Sequence, residues 1–378
     1  MTRPISVSKG LDDVVIGRSS ISLVAGETGG LVYRGFDIAE LVPGVPYESV
    51  VHLLLRGTPP PEDPAENVTD GLRQRRDLPL PIAALVDAIP SERAPLDAMR
   101  TILSGLSDES FAYPPTVDQG LTLMARLPTA FARFVQRSMH QPPISPRPDL
   151  GQVANYLNML TGSVPDSDRL HALESYFVLL ADHGMNASTF ALCVVISTQS
   201  DLVSAETAAL GALKGPVHGG APSRVIDMLD AIGSVDDAVR GIAARLQRGE
   251  VLYGFGHRAY KVEDPRAVLL KQIAQRVATP ERLELALTVE REALAALHIA
   301  KPNARLNTNV EYWGAVVLEA VGLKKEWFTP TFALARTAGW AAHALEQADD
   351  NRLIRPEVEY VGAPTGSRWP RPRAEKGP

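Results

Sequence analysis

Cysteine is nearly absent from this sequence. Cys193 stands alone, so no disulfide can form within the chain, and the fold must rest on its packed core in a reducing setting. No apolar run approaches the ~20 residues needed to cross a bilayer. The start, Met1-Thr2-Arg3-Pro4-Ile5-Ser6, lacks the apolar stretch of a secretory signal. The expectation is a soluble, cytoplasmic protein with no membrane association. A basic excess is also missing. The formal net charge of -6 argues against a nucleic-acid partner, because such proteins usually carry a positive face. It says nothing against a small anionic substrate, since a few arginines can dominate one cleft while the rest of the surface stays acidic. No repeat recurs at solenoid periods, and alternating β patterns are few.

What is present reads as helix. The 378 residues exceed one compact core and suit two domains or three, and 45% apolar with 22% charged residues is an ordinary globular balance. Ser234 and Asp237 have capping-box spacing, followed by Val235, Val239, Ile242 and Leu246 at helical intervals and a stop at Gly249. Thr279-Pro280 predicts a capped start with proline at the first helical position, ahead of an apolar stripe of Leu283, Leu287, Leu294 and Leu297. Thr329-Pro330 repeats that signal before Phe332, Ala335, Gly339, Trp340 and His343. The best strand signal is Ser20-Ile21-Ser22-Leu23-Val24 with Leu31-Val32-Tyr33 after a glycine turn, which predicts a small N-terminal hairpin. The stretch 219–321 has its own helix pairs between glycine-rich joints. We read it as a smaller helical domain inserted between two parts of a larger one, 1–218 and 322–364, with a Pro-, Gly- and Arg-rich tail over 365–378 expected to be disordered.

Three histidines sit beside glycine, where the backbone can turn sharply and a ligand can come close. They are His183 in Asp182-His183-Gly184-Met185-Asn186, His218 in Gly215-Pro216-Val217-His218-Gly219-Gly220, and His257 in Gly254-Phe255-Gly256-His257-Arg258. A zinc site is one reading of three histidines, although their wide spacing lacks the usual H-x-x-x-H form. Arg266 follows Asp264-Pro265, Arg355 precedes Pro356, and Arg336 interrupts an apolar helix face. A buried guanidinium needs an anionic partner. For Arg336 that partner is either an internal carboxylate, Glu311 or Glu346, or the carboxylate of a substrate held by two parallel hydrogen bonds.

Taken in order, these motifs resemble the citrate synthase family, including its 2-methylcitrate synthase members. The matching set runs from Gly10-Leu11-Asp12 and Tyr33-Arg34-Gly35-Phe36-Asp37-Ile38 through the three histidine segments and Asp264-Pro265-Arg266. It ends with Asn309-Val310-Glu311-Tyr312, Phe328-Thr329-Pro330, Arg355-Pro356 and Tyr360-Val361-Gly362, spanning residues 10 to 362. The resemblance implies an all-α, two-domain citrate synthase-like fold and an acyltransferase of the tricarboxylic acid cycle that joins acetyl-CoA to oxaloacetate. It needs no cofactor beyond acetyl-CoA as substrate, and no metal. His218 matches the histidine that bonds the thioester oxygen, and His257 the one that polarises the keto group. His183, Asn186, Arg266 and Arg336 match positions around oxaloacetate. Arg355 matches an arginine supplied by the second subunit of a homodimer, and Lys261 lies where a basic residue meets the CoA phosphates. The family usually has aspartate where Glu311 stands. A carboxylate one methylene longer shifts its reach by about 1.5 Å, and misplacement on that scale can cost ~10²-fold in rate. Three alternatives follow: propionyl-CoA as donor, a catalytically silent helical dimer, and a zinc hydrolase.

Overall fold

The computed structural model describes residues 7–11, 14–61, 68–219 and 222–363; the tail expected to be disordered, 365–378, lies outside them. The described residues group into two units, one formed by the N-terminal residues up to Arg18 with those from Ile354 onward, the other a body from Ser19 to Leu353. The body is helical, with one three-stranded antiparallel sheet near its start. Among the described residues no helix is long and apolar enough to cross a membrane.

The sheet forms where the sequence alternates. Strand β1 (Ser22–Ala25) pairs with β2 (Gly30–Tyr33), Leu23 opposite Val32, and a short β3 (Phe36–Asp37), which the sequence did not reveal, pairs with β2. Leu31 and Tyr33 point inward while Leu23 is 61% exposed, the period-two pattern of a half-buried hairpin. Tyr33 carries its hydroxyl to the carbonyls of Leu179 and Asp182, which fastens the hairpin to the end of helix Ser167–Leu180.

At the centre lies helix Phe328–Asp349. Every residue from Phe328 to Ala344 is buried, so over that span it is a core helix with no solvent face. Helices Tyr47–Arg56, Val117–Ser138, Ser167–Leu180, Ala187–Ser197 and Leu202–Leu213 pack around it. Gly339 is indispensable there. A Cβ would stand 2.4 Å from the Ala181 carbonyl oxygen and 2.5 Å from Asp182 Oδ1, so only a bare backbone admits the Asp182 segment.

Several local expectations need correction. Thr329-Pro330 does not begin its helix: a 3-10 turn over Lys325–Trp327 leads straight into Phe328, and the Thr329 hydroxyl bonds the Gly219 carbonyl instead of capping. Ser234 Oγ does accept from the Asp237 amide, but the helix proper starts at Ala238, and Val239 is 62% exposed while Ala238 and Ile242 are buried. Thr279 caps helix Pro280–Ala300 as read. Its buried stripe, however, is Leu285, Val289, Ala293 and Leu297, which rise at strict four-residue spacing, rather than the leucines alone.

Candidate active site

Three glycine-broken segments and two helix starts supply the site. The first follows helix Ser167–Leu180, where the backbone turns at Gly184 (φ 57°). Asn186 then caps helix Ala187–Ser197: its Oδ1 accepts from the amides of Ser188 and Thr189 and from Ser188 Oγ. Its Nδ2 is given to the His183 and Gly184 carbonyls. Asn186, expected beside substrate, therefore spends its polar atoms shaping this turn. His183 is buried. Its Nε2 lies 3.2 Å from the Tyr260 hydroxyl, and its ring meets that of His257 at 5.3 Å. Burial first, then the charges of Arg266 and Arg336, hold its pKa well below the ordinary value.

The second segment carries His257. Its Nδ1 accepts from the amides of Ala259 (2.9 Å) and Tyr260 (3.1 Å), so in the neutral ring the hydrogen sits on Nε2. Burial and the neighbouring Arg266 push the ring down to a pKa of about 4, which keeps it neutral at physiological pH. Arg266 Nη2 stands 3.4 Å from Nε2. Two N–H donors thus lie side by side, a pair suited to a carbonyl or carboxylate oxygen.

Arg266 is held from behind. Asp264 caps helix Pro265–Val277, takes Arg266 Nε and Nη2 at 3.0 and 2.8 Å, and also accepts the Val310 amide at 3.1 Å. Burial opposes the charge of Arg266, yet Asp264 more than offsets it and raises the guanidinium above its usual range. The Val310 bond ties this pair to the next helix, Val310–Ala320, whose first turn bears Glu311. That helix start is clamped to the His257 segment as well, because Asn309 donates through its amide to Gly254 and through Nδ2 to Gly256. Glu311 makes no ion pair among the described residues. Burial raises its pKa to about 8 against the lowering pull of Arg266, with Asp264 adding to the rise.

The third segment presents His218 to the start of helix Ala187–Ser197. The Ser188 amide, which can only donate, points at Nε2 from 3.3 Å, and Ser188 Oγ stands 2.9 Å away. With Nε2 accepting, the neutral ring carries its hydrogen on Nδ1. Burial and Arg336 lower its pKa to about 4.

Arg336 answers the question its position raised. It is 1% exposed, donates Nε to the Leu180 carbonyl at 2.7 Å and faces the Phe332 ring. Neither Glu311 nor Glu346 pairs with it; Glu346 instead accepts the amide and hydroxyl of Ser20. Its compensating charge is Asp182, whose own pKa is held at about 2 by His343, Arg336 and Ser22 despite burial. Lys261 lies on the His257 loop with its side chain exposed, its amide bonded to Gly26. Arg355 is exposed and belongs to the other unit. Among the described residues no three His, Cys, Asp or Glu side chains converge as a metal-binding group.

Comparison with known proteins decides the family. The model for "Citrate synthase, C-terminal domain" matches residues 10–357. This chain belongs to the citrate synthase family. It is 37% identical to the citrate synthase of Acidithiobacillus ferridurans, covering 93% of this chain and 95% of that one. It is 36% identical to a 2-methylcitrate synthase of Mycobacterium tuberculosis, over 94% and 91%. Among solved structures, Thermoplasma acidophilum citrate synthase, in a ternary complex with carboxymethyl coenzyme A and oxaloacetate, superposes with a TM-score of 0.90 at 28% identity, covering 97% and 98%. As a family member it is an acyltransferase, built on the mainly helical fold with a small N-terminal sheet.

Sequence reasoning missed the supporting carboxylates. Asp264 carries the Asp-Pro signature of a helix cap, which was readable, and Asp182 precedes a singled-out histidine. Their tasks depend on partners far away in sequence, namely Val310 for Asp264, and His343 and Arg336 for Asp182.

Proposed function

We propose that this protein condenses acetyl-CoA with oxaloacetate and hydrolyses the resulting citryl-CoA to citrate and CoA. The observation that carries the reading is the paired N–H donors of His257 and Arg266, with a second buried guanidinium, Arg336, and a carboxylate, Glu311, at the start of the helix clamped to the pair. Arg266 and Arg336 would take the oxaloacetate carboxylates with His183. His257 Nε2–H would polarise the keto oxygen. His218 Nδ1–H would meet the thioester oxygen as the enol forms, a role worth about 3–4 kcal/mol per hydrogen bond in comparable sites. Glu311 would remove the methyl proton, and its raised pKa matches a base working near neutrality. A coupled assay for free CoA release from acetyl-CoA and oxaloacetate tests this directly. Release no faster than without enzyme would favour a silent dimer.

A second reading has its own support in the 2-methylcitrate synthase relatives. The donors differ by one methylene, worth about 1–3 kcal/mol in an apolar pocket. Comparing kcat/KM for acetyl-CoA and propionyl-CoA separates them.

We further propose a homodimer in which Arg355 completes the partner's site. Helix Ala187–Ser197 supports it: Leu192, Cys193 and Ile196 are buried, yet the other face carries Phe190, Ala191, Val194 and Val195, all apolar and only half covered. The N- and C-terminal segments likewise show Val15, Val358 and Val361 nearly fully exposed. Closure of 219–321 over the substrates, Lys261 near the CoA phosphates and a cytoplasmic location complete the proposal; the single cysteine, buried and free, suits a reducing compartment.

A further inference from the structure

The turn between β1 and β2 touches the His257 loop at closer range than packing alone demands. Gly26 O accepts the Lys261 amide at 2.9 Å. A Cβ on Gly26 would stand 2.3 Å from the Ala259 carbonyl oxygen, and one on Gly29 would meet Val262 at 2.9 Å and the Glu263 carbonyl oxygen at 3.2 Å. At its other end the hairpin holds the His183 loop, where Ser22 Oγ donates to Asp182 Oδ2 and accepts the Gly184 amide. The Ala259–Tyr260 peptide, whose carbonyl oxygen Gly26 abuts, carries the Tyr260 amide that reaches His257 Nδ1, and the Ala259 amide beside it reaches the same nitrogen.

We propose that Gly26 is a positioning residue: by seating the Ala259–Tyr260 peptide it holds the Tyr260 amide, and with it the adjoining Ala259 amide, on His257 Nδ1 and so fixes the ring hydrogen on Nε2, facing the substrate keto oxygen. The inference rests on the condensation reading for its consequence but not for its geometry. Moving the Ala259 carbonyl by the distance a methyl group requires withdraws the Tyr260 donor from Nδ1 and loosens the Ala259 donor beside it. The ring is then free to take either tautomer, and the barrier to its protonation falls. The charged or titratable groups around it are Arg266 and Asp264 from the following helix start, His183 from the loop after Ser167–Leu180, and Tyr260 from its own loop.

The test is nitrogen-15 NMR of histidine-labelled full-length protein with steady-state kinetics. Wild type is expected to show His257 Nδ1 unprotonated and Nε2 protonated at neutral pH. Gly26→Ala is expected to give mixed tautomers, a ring pKa shifted up from about 4, and kcat lower by roughly 10²-fold. Glu27→Ala, exposed on the same turn, should match wild type in all three. Gly26→Ala that folds by circular dichroism and keeps the wild-type tautomer overturns the proposal. Should that variant not fold, the wild-type spectrum decides, and Nδ1 protonated overturns it. Because the ring is read without turnover, a protein inactive toward acetyl-CoA would sink the condensation reading while leaving this test standing.

Discussion

At the scale of single residues, the site is a set of neutral imidazoles held among fixed charges. His218 and His257 are both pushed to a pKa of about 4, so each ring is neutral at physiological pH. Glu311 moves the other way, to about 8. A base must lose its proton first, so kcat/KM is expected to rise with pH through about 8; a profile flat from pH 6 to 9 would remove Glu311 from that role. Glu311→Gln should lower condensation by ~10²–10⁴-fold while leaving oxaloacetate binding near wild type, as measured by CoA release and calorimetry. For Arg336→Met, the loss of a buried charge partner should weaken oxaloacetate binding by roughly 10²-fold. Binding as tight as wild type would show that the guanidinium serves the core alone.

At the scale of elements, caps and glycines do the placing. Asn186→Ala removes an N-cap with three acceptor contacts and should cost about 1 kcal/mol in denaturant unfolding, with a larger loss of activity as Ser188 and His218 drift apart. The sequence made much of this legible. The Thr279-Pro280 start, the hairpin and the three glycine-flanked histidines are local signals, and each appears where its chemistry says it should. What stayed hidden was relational. Helix Phe328–Asp349 is buried on all sides as far as Ala344, so it has no periodic stripe to find there, and Thr329 looked like a cap because the 3-10 turn ahead of it leaves no local mark. Asn186 matched a family position, and only its hydrogen bonds revealed that the cap consumes it.

At the scale of the whole molecule, the two lowered histidines tie the site to stability. In the unfolded chain each ring binds a proton near pH 6.5; in the folded protein it does so only near 4. Between those values the unfolded state holds more protons. Stability is therefore expected to fall as pH drops from about 6.5 to 4, and to fall less in a His218→Gln, His257→Gln double variant, by denaturant midpoint. If Arg355 acts across a dimer, mixing refolded Arg355→Ala and His257→Ala subunits should restore activity that neither has alone; no recovery would place Arg355 in its own subunit's site or outside any.

The innermost helix also sets a schedule. It carries Arg336 near the end of the chain, while Ser22 and Gly26, which brace the two histidine loops, come near its beginning. On the condensation reading, a fragment of the chain that stops before Arg336 therefore holds no complete oxaloacetate site and could not consume a thioester half-way.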